Sequence, residues 1–124
     1  MKKVVFVIAV LLGTVFFGNL ENVKAQSGRM EWRGTVDDVV QISIRNRNAR
    51  VKTISGTAYY DGNSNFRDAL PRNRRVVVSV DKKDGRGEVF VVQQPNRRNN
   101  FTAIVQIVDK KGSKDRYRFV LTWN

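Results

Sequence analysis

Tyr117-Arg118-Phe119-Val120-Leu121-Thr122-Trp123, close to the C terminus, is the stretch that decides the fold. Its aromatic and aliphatic residues Tyr117, Phe119, Leu121 and Trp123 occupy every second position. A period of two places these side chains on one face of an extended strand, whereas a helix would repeat them every three to four residues. The stretch therefore predicts a half-buried β-strand.

The same alternation recurs along the chain from Met30 onward, and little of the sequence has helical spacing. Two loops rich in Asp, Lys and Gly, at 81–87 and 109–115, have the composition of turns. The pattern predicts an all-β domain of about seven short antiparallel strands, either an immunoglobulin-like β-sandwich or a small barrel. The other six predicted strands are Met30–Trp32, Val40–Ile44, Val51–Tyr60 with a bend at Gly56, Val76–Val80, Glu88–Gln94 and Phe101–Ile107.

The first 25 residues have the layout of a cleaved signal peptide. Lys2 and Lys3 precede an uncharged, largely apolar run at 4–18, and a short polar stretch then ends at Val23-Lys24-Ala25. The run is shorter than the roughly 20 residues that a membrane-spanning helix needs. We therefore expect residues 1–25 to be removed and 26–124 to form a single all-β domain without a membrane span. The expected location is secreted, either periplasmic or extracellular.

Net charge indicates the type of partner, and cysteine content indicates how the domain is stabilised. The net charge of the chain is +12, and the segment from residue 26 keeps +10, with fourteen Arg and six Lys. Arg presents a planar fork of donors that suits carboxylate, phosphate and sulfate groups. The charge therefore favours a polyanionic partner, although Arg could equally serve to keep a β surface soluble and its edges unpaired. The chain has no Cys, so the domain is held together without disulfides.

Catalysis has little support in the sequence. His and Cys are absent, which removes the commonest general base, thiol nucleophiles and the usual zinc ligands. Asp37 and Asp38 are adjacent and would point to opposite faces of a strand. We expect no enzyme activity, no cofactor and no metal. A calcium site at Asp61, Asn63 and Asn65 stays open, because these alternate like the first half of a calcium-binding loop. Phe66 and Arg72 stand where that loop needs Gly and Glu, so Asx turns are the alternative.

Two loops combine Arg with Asn and are the predicted ligand-binding site. If consecutive strands run up and down, 61–73 and 95–100 share one end of the domain with Asp37 and Asp38. The loops at 46–49, 81–87 and 109–115 would then share the other end. The alternative to ligand binding is an internal salt-bridge network between these Arg and the two Asp. Tyr59, Tyr60, Phe66 or Phe101 would lie close enough to stack on a ligand. The predicted site residues are Arg72, Asn73, Arg74, Arg75, Asn96, Arg97, Arg98 and Asn99.

These observations predict a non-catalytic binding module whose Arg/Asn loops hold an anionic polysaccharide or another cell-surface polyanion. Nucleic acid is not the expected ligand, since few aromatic residues interleave with the basic ones. The alternative is a structural or protein-interaction subunit of the cell envelope. Val76–Val80 and Val89–Val92 are strongly β-prone, so either could add a strand to a partner or to a second copy.

Overall fold

The computed structural model describes residues 27–57, 60–109 and 114–124, so the predicted signal peptide lies outside the described residues. The described chain is all-β and forms two four-stranded antiparallel sheets, which confirms the predicted fold class in its sandwich form. The strands are β1 (Gly28–Val36), β2 (Val39–Arg45), β3 (Asn48–Ser55), β4 (Asn63–Phe66), β5 (Val78–Asp84), β6 (Glu88–Gln93), β7 (Ala103–Val108) and β8 (Asp115–Trp123). One short 3-10 turn, Arg97–Asn99, lies between β6 and β7.

The two sheets differ in how far apart their strands lie in the sequence. Sheet A has the order β4-β1-β8-β5 and sheet B the order β3-β2-β7-β6. In sheet A the first strand pairs with the last, from Gly28 opposite Trp123 to Val36 opposite Asp115. β4 and β5 are the edge strands of sheet A, and β3 and β6 are those of sheet B.

The core lies between the sheets and is built from alternate residues of the central strands. Tyr117, Phe119, Leu121 and Trp123 are all buried, as their alternation predicts. The ring of Trp32 on β1 stacks on that of Phe119, with centroids 5.6 Å apart. Each such side chain stabilises the fold by about 1.5–3 kcal/mol through removal of apolar surface from water. A core of this kind accounts for a stable domain without disulfides.

The predicted strands need two corrections. The predicted strand Val51–Tyr60 ends at Ser55, since Gly56 has a φ of +92° and turns the chain away. Residues 63–66, where we expected Asx turns, instead form β4, with Asn63 opposite Arg33 and Phe66 opposite Met30 on β1. An extra strand at this point changes which end of the sandwich each preceding loop reaches.

The pairing registers assign each loop to one of two ends. The arginine end comprises residues 45–47, 67–77 and 94–102, and the aspartate end comprises 37–38, 56–57, 60–62, 84–88, 109 and 114–115. The Arg/Asn loops at 72–75 and 95–100 therefore share an end, as predicted. The placement of Asp37 and Asp38 beside them was wrong, because both lie at the aspartate end. The placement of 46–49 at the end opposite the Arg/Asn loops was wrong as well, because this turn lies at the arginine end.

Candidate functional site

A surface cleft of about 500 Å³ opens at the arginine end. It lies between the segment that leads into β5 and the loop that joins β6 to β7. Its lining residues are Asn73, Arg74, Arg75, Asn96, Arg97, Arg98 and Phe101. Six of the eight predicted site residues are thus brought together, whereas Arg72 and Asn99 do not line the cleft.

The loop between β6 and β7 is shaped by two Asn side chains. The Asn96 side chain accepts a hydrogen bond from the Asn99 amide at 3.1 Å, and the Asn99 side chain accepts one from the Asn96 amide at 2.9 Å. Asn99 also accepts from the Thr102 amide and donates to the carbonyl of Gln94. This reciprocal capping satisfies the backbone amides of Asn96 and Asn99 at the two ends of the turn. The polar atoms of Asn99 therefore hold the loop together, and its role in ligand binding stays a prediction.

The same loop holds two residues in the left-handed region. Asn100 and Phe101 have φ angles of +59° and +54°, and the Phe101 amide donates to the Asn96 carbonyl at 2.7 Å. A positive φ is common for Asn, but for a bulky residue such as Phe it is a strained conformation that costs about 1–3 kcal/mol. The surrounding hydrogen bonds compensate for this strain, and Phe101 is thereby held in the wall of the cleft.

The segment on the other side of the cleft is anchored at both ends. Leu70 is buried and its amide donates to the Asn46 carbonyl at 3.0 Å. Val76 is buried, and the backbone of Val78 exchanges two hydrogen bonds with the Gln94 side chain, at 2.8 and 3.0 Å. Gln94 thus joins the start of β5 to the end of β6. The Arg side chains of the cleft project from a segment whose backbone is fixed.

The charge of the arginine end is almost entirely of one sign. Asp68 is its single acidic residue, and it bonds Arg67 at 3.0 Å and the amide of Arg29 at 3.1 Å. Among the residues that the structure describes, no ion pair involves Arg72, Arg75, Arg97 or Arg98. The Arg residues of this end are Arg45, Arg47, Arg67, Arg72, Arg74, Arg75, Arg97 and Arg98.

Asp37 and Asp38 do not neutralise these arginines. The Asp37 carboxylate accepts a hydrogen bond from the Thr57 amide at 3.0 Å, and that of Asp38 accepts one from the Ser55 hydroxyl at 2.7 Å. Both carboxylates stabilise the exit of β3 at the aspartate end. The alternative interpretation of the Arg/Asn loops, a salt-bridge network with these two residues, was therefore wrong.

A buried ionic cluster at the aspartate end was not predicted from the sequence. The Asp109 side chain is 0% exposed and accepts two hydrogen bonds from the Arg86 guanidinium, at 2.9 and 3.0 Å, and one from the Tyr117 hydroxyl at 2.7 Å. The same hydroxyl accepts a bond from the Gly87 amide at 2.8 Å. Gly85, with a φ of +123°, lies against the Tyr117 ring, where a Cβ would clash. The alternation of β8 indicated that Tyr117 is buried, but not its polar partners.

The contacts of this cluster determine the protonation states of Asp109, Tyr117 and Arg86. Burial alone would raise the pKa of Asp109, but the hydrogen bonds from Arg86 and Tyr117 outweigh it, so the pKa lies below its ordinary value. Burial, followed by the hydrogen bond to Asp109, raises the pKa of Tyr117. The hydrogen bond to Asp109 raises the pKa of Arg86. The carboxylate is therefore held ionised and the phenol neutral, which is the arrangement of a structural clamp.

The suggested calcium ligands lie on a groove of mixed charge. Asn63 and Asn65 are opposite Arg33 and Glu31 on the β1–β4 pair, and Asp61 shares its groove with Arg33 and Arg116. Asp61 is the one carboxylate among the three suggested ligands, and the two Arg side chains beside it would repel a calcium ion. Over the described ranges, no group of three or more His, Cys, Asp or Glu is placed to hold a metal ion. Of the remaining stacking candidates, Tyr60 and Phe66 do not line the cleft, since Tyr60 bonds the Val51 carbonyl and Phe66 pairs with Met30. Tyr59 lies outside the described residues.

Comparisons of the chain with protein-family models, with curated proteins and with solved structures each found no match. Within the described part of the chain, no helix is long and apolar enough to cross a membrane.

Proposed function

We propose that this protein is a small exported, non-catalytic binding module that holds an anionic glycan or another cell-surface polyanion in the cleft of the arginine end. One observation carries the proposal: two loops place four Arg around a single cleft, at an end of the domain with eight Arg and one Asp. The absence of His and Cys from the sequence supports a binding role over a catalytic one.

The chemistry of the cleft favours carboxylate, sulfate or phosphate groups on a polymer. Arg75, Arg97 and Arg98 are exposed, and each guanidinium can donate two parallel hydrogen bonds to an oxyanion. The volume of about 500 Å³ lies within the usual range for ligand sites. Phe101 adds an apolar surface on which a sugar ring can pack. The excess of positive charge around the cleft raises the local concentration of any anionic polymer.

The test is a binding array of acidic glycans, lipopolysaccharide and DNA, at low and at physiological salt. The protein is the segment 26–124, which contains every described strand and core residue. We expect selective binding to one glycan or envelope class that persists at physiological salt. Uniform binding to all polyanions that disappears with salt would mean that the charge is only a surface property.

Two variants with matched charge reversals test whether the cleft is the binding site. The cleft variant carries Arg75→Glu, Arg97→Glu and Arg98→Glu. The control carries Arg50→Glu, Lys52→Glu and Arg116→Glu on exposed strand positions, so the net charge changes equally. We expect the cleft variant to bind about 100-fold more weakly and the control less than about 5-fold, since loss of directed contacts exceeds loss of long-range field. Equal losses in both variants would contradict the assignment to the cleft.

The proposed export depends on the predicted signal peptide. Expressed with residues 1–25 in a bacterial host that secretes proteins, the chain is expected to accumulate outside the cytoplasm with a mass that begins at Gln26. A product that stays in the cytoplasm and retains Met1 would contradict the proposed location, and leave the cleft proposal to its own test.

A second candidate function is protein interaction through strand edges. It is favoured by one observation: Val89–Val92 lies on β6, and part of Val76–Val80 lies on β5, both of which are edge strands. An association through backbone hydrogen bonds and apolar side chains survives high salt, whereas polyanion binding weakens as salt screens it. The salt dependence of any complex therefore separates the two candidates.

A further inference from the structure

The four edge strands of the sandwich are protected to different degrees against pairing with another chain. β3 exposes Arg50 and Lys52, and β4 is only four residues long. β5 carries Lys82 and Lys83, and the Gln94 side chain occupies the backbone groups of Val78. Charged side chains, short length and covered backbone groups are the usual means of keeping an edge free of other strands.

β6 lacks these protections over most of its length. No Lys or Arg lies between Arg86 and Arg97, and Phe90 and Val92 are 37% and 44% exposed on this strand. A bulge after Val91 ends its regular pairing with β7, and Glu88 is charged, so the unprotected stretch is Val89–Val91. No other described strand pairs with β6 on the side that faces away from β7.

The pairing of β7 shows which backbone groups of β6 face outward. The Asp109 amide donates to the Asp38 carbonyl at 2.6 Å, which continues the β7–β2 ladder. Backbone groups along a strand alternate between its two neighbours, so Val108 and Gln106 bond toward β6. Their partners Glu88 and Phe90 face β7, and the amides and carbonyls of Val89 and Val91 therefore point to the open edge.

We infer that β6 is a self-association edge, where a second copy of this chain pairs antiparallel with Phe90 opposite Phe90. This inference rests on the second candidate function and commits it to one partner. Val89 of each copy is then opposite Val91 of the other, and the pair exchanges its outward backbone hydrogen bonds. Phe90 meets Phe90 on the outer face, while Val89 and Val91 extend the core-facing side of sheet B.

Charge favours a second copy in this orientation. Antiparallel pairing separates the two arginine ends and sets each beside residues 84–88 of the other copy, which carry two acidic side chains and one basic side chain. Parallel pairing would bring the two sets of cleft arginines together at a cost from like-charge repulsion. The dimer therefore presents two clefts at opposite extremes, and it can join two polyanion chains.

The first experiment is sedimentation of the segment 26–124 between about 10 µM and 1 mM, in 0.15 M and in 1 M salt, a range suited to a small interface. We expect a concentration-dependent dimer at both salt concentrations. Phe90→Lys would place two cations in contact and return the protein to a monomer, whereas the control Ile54→Lys, on the exposed edge β3, would leave the dimer intact. A monomer throughout this range would overturn the inference.

Cross-linking tests the register, because the chain has no Cys of its own. Residues directly opposite in an antiparallel pair that share no backbone hydrogen bond lie close enough for a disulfide. Under mild oxidation, Phe90→Cys is expected to form a covalent dimer at least about 10-fold faster than Ile54→Cys. Equal rates would overturn the pairing at Phe90.

The outcomes separate this inference from the proposed cleft. Reversing the charge of Arg75, Arg97 and Arg98 is expected to leave the sedimentation of the dimer unchanged. Phe90→Lys is expected to leave the affinity for a short, single-site anionic glycan unchanged. A dimer that required the three arginines would indicate association through the cleft and would overturn the edge pairing.

Discussion

The two ends of the sandwich use charged side chains in opposite ways. At the aspartate end, the charge of Asp109 is buried against Arg86 and Tyr117, and that of Asp37 against the backbone of Thr57. At the arginine end, Asn and Gln side chains fix the loops, and the exposed Arg point into a cleft. Neutral amides replace ion pairs as the structural groups there. The comparison teaches that the fold depends on the charges of Asp109 and Arg86 at the aspartate end, whereas neutral side chains hold the loops that carry the arginines.

The largest expected effect comes from Asp109→Ala at the aspartate end. This change removes three hydrogen bonds and leaves the buried Tyr117 hydroxyl with one partner fewer, so we expect the free energy of unfolding to fall by about 3 kcal/mol. Urea denaturation at pH 7 measures it. The control Asp81→Ala removes only an exposed pair with Lys83 and is expected to cost less than about 0.5 kcal/mol. A loss below about 1 kcal/mol for Asp109→Ala would show that the buried Asp109 cluster contributes little to the stability of the aspartate end.

Acidification should act on the same cluster. The pKa of Asp109 in the folded chain is below the unfolded value of about 3.9, so protons bind more tightly to the unfolded chain. The stability contributed by Asp109 is therefore complete above about pH 5 and is lost as the pH falls through the folded pKa. Urea midpoints measured from pH 7 to pH 2 are expected to fall more steeply for the native chain than for Asp109→Asn. If the midpoints of the native chain and of Asp109→Asn fell equally with pH, the fold would not be lowering the pKa of the Asp109 carboxyl.

Asn99→Ala tests the loop at the arginine end. It removes the capping bonds to the amides of Asn96 and Thr102, and we expect a loss of about 1–2 kcal/mol in unfolding free energy. Because the loop carries Arg97 and Arg98, affinity for the polyanion should fall as well. Asn73→Ala, in the facing segment, is the control and should leave stability within about 0.5 kcal/mol. Equal stability of the two variants would remove the structural role assigned to Asn99.

The smallest expected effect on stability is that of Arg97→Gln. The side chain is exposed and has no ion pair among the described residues, so we expect the unfolding free energy to change by less than about 0.5 kcal/mol. The same variant should bind the polyanion several-fold more weakly. Destabilisation above 1 kcal/mol would show that Arg97 serves the fold, and would weaken the contrast between the two ends.

Most of the sandwich could be predicted from the sequence because most of its strands alternate apolar and polar residues. β4 could not, since Asn63-Ser64-Asn65-Phe66 has one apolar residue, and this short edge strand is held mainly by backbone bonds to β1. Missing one strand reversed the ends assigned to the loops before it, which misplaced Asp37 and Asp38. It did not separate the two Arg/Asn loops, because both follow β4.

The site could be predicted only as a set of residues. Arg and Asn clusters flanked by strands marked the two loops, but the sequence does not distinguish Asn99, which caps a turn, from Asn73, which lines the cleft. The Asp109 cluster joins residues from two loops and a strand, and no local pattern indicates such a contact. Long-range hydrogen bonds of this kind depend on the order of the strands, which alternation does not encode.

The pairing of β1 with β8 sets the time at which this protein can fold. Sheet A lacks its second central strand until residues 115–123 have been synthesised, and until then β1 has only the four residues of β4 beside it. A two-stranded ribbon of that length is not stable in water. The sandwich therefore cannot close before residues 115–123 have been synthesised, although all four strands of sheet B precede them in the chain.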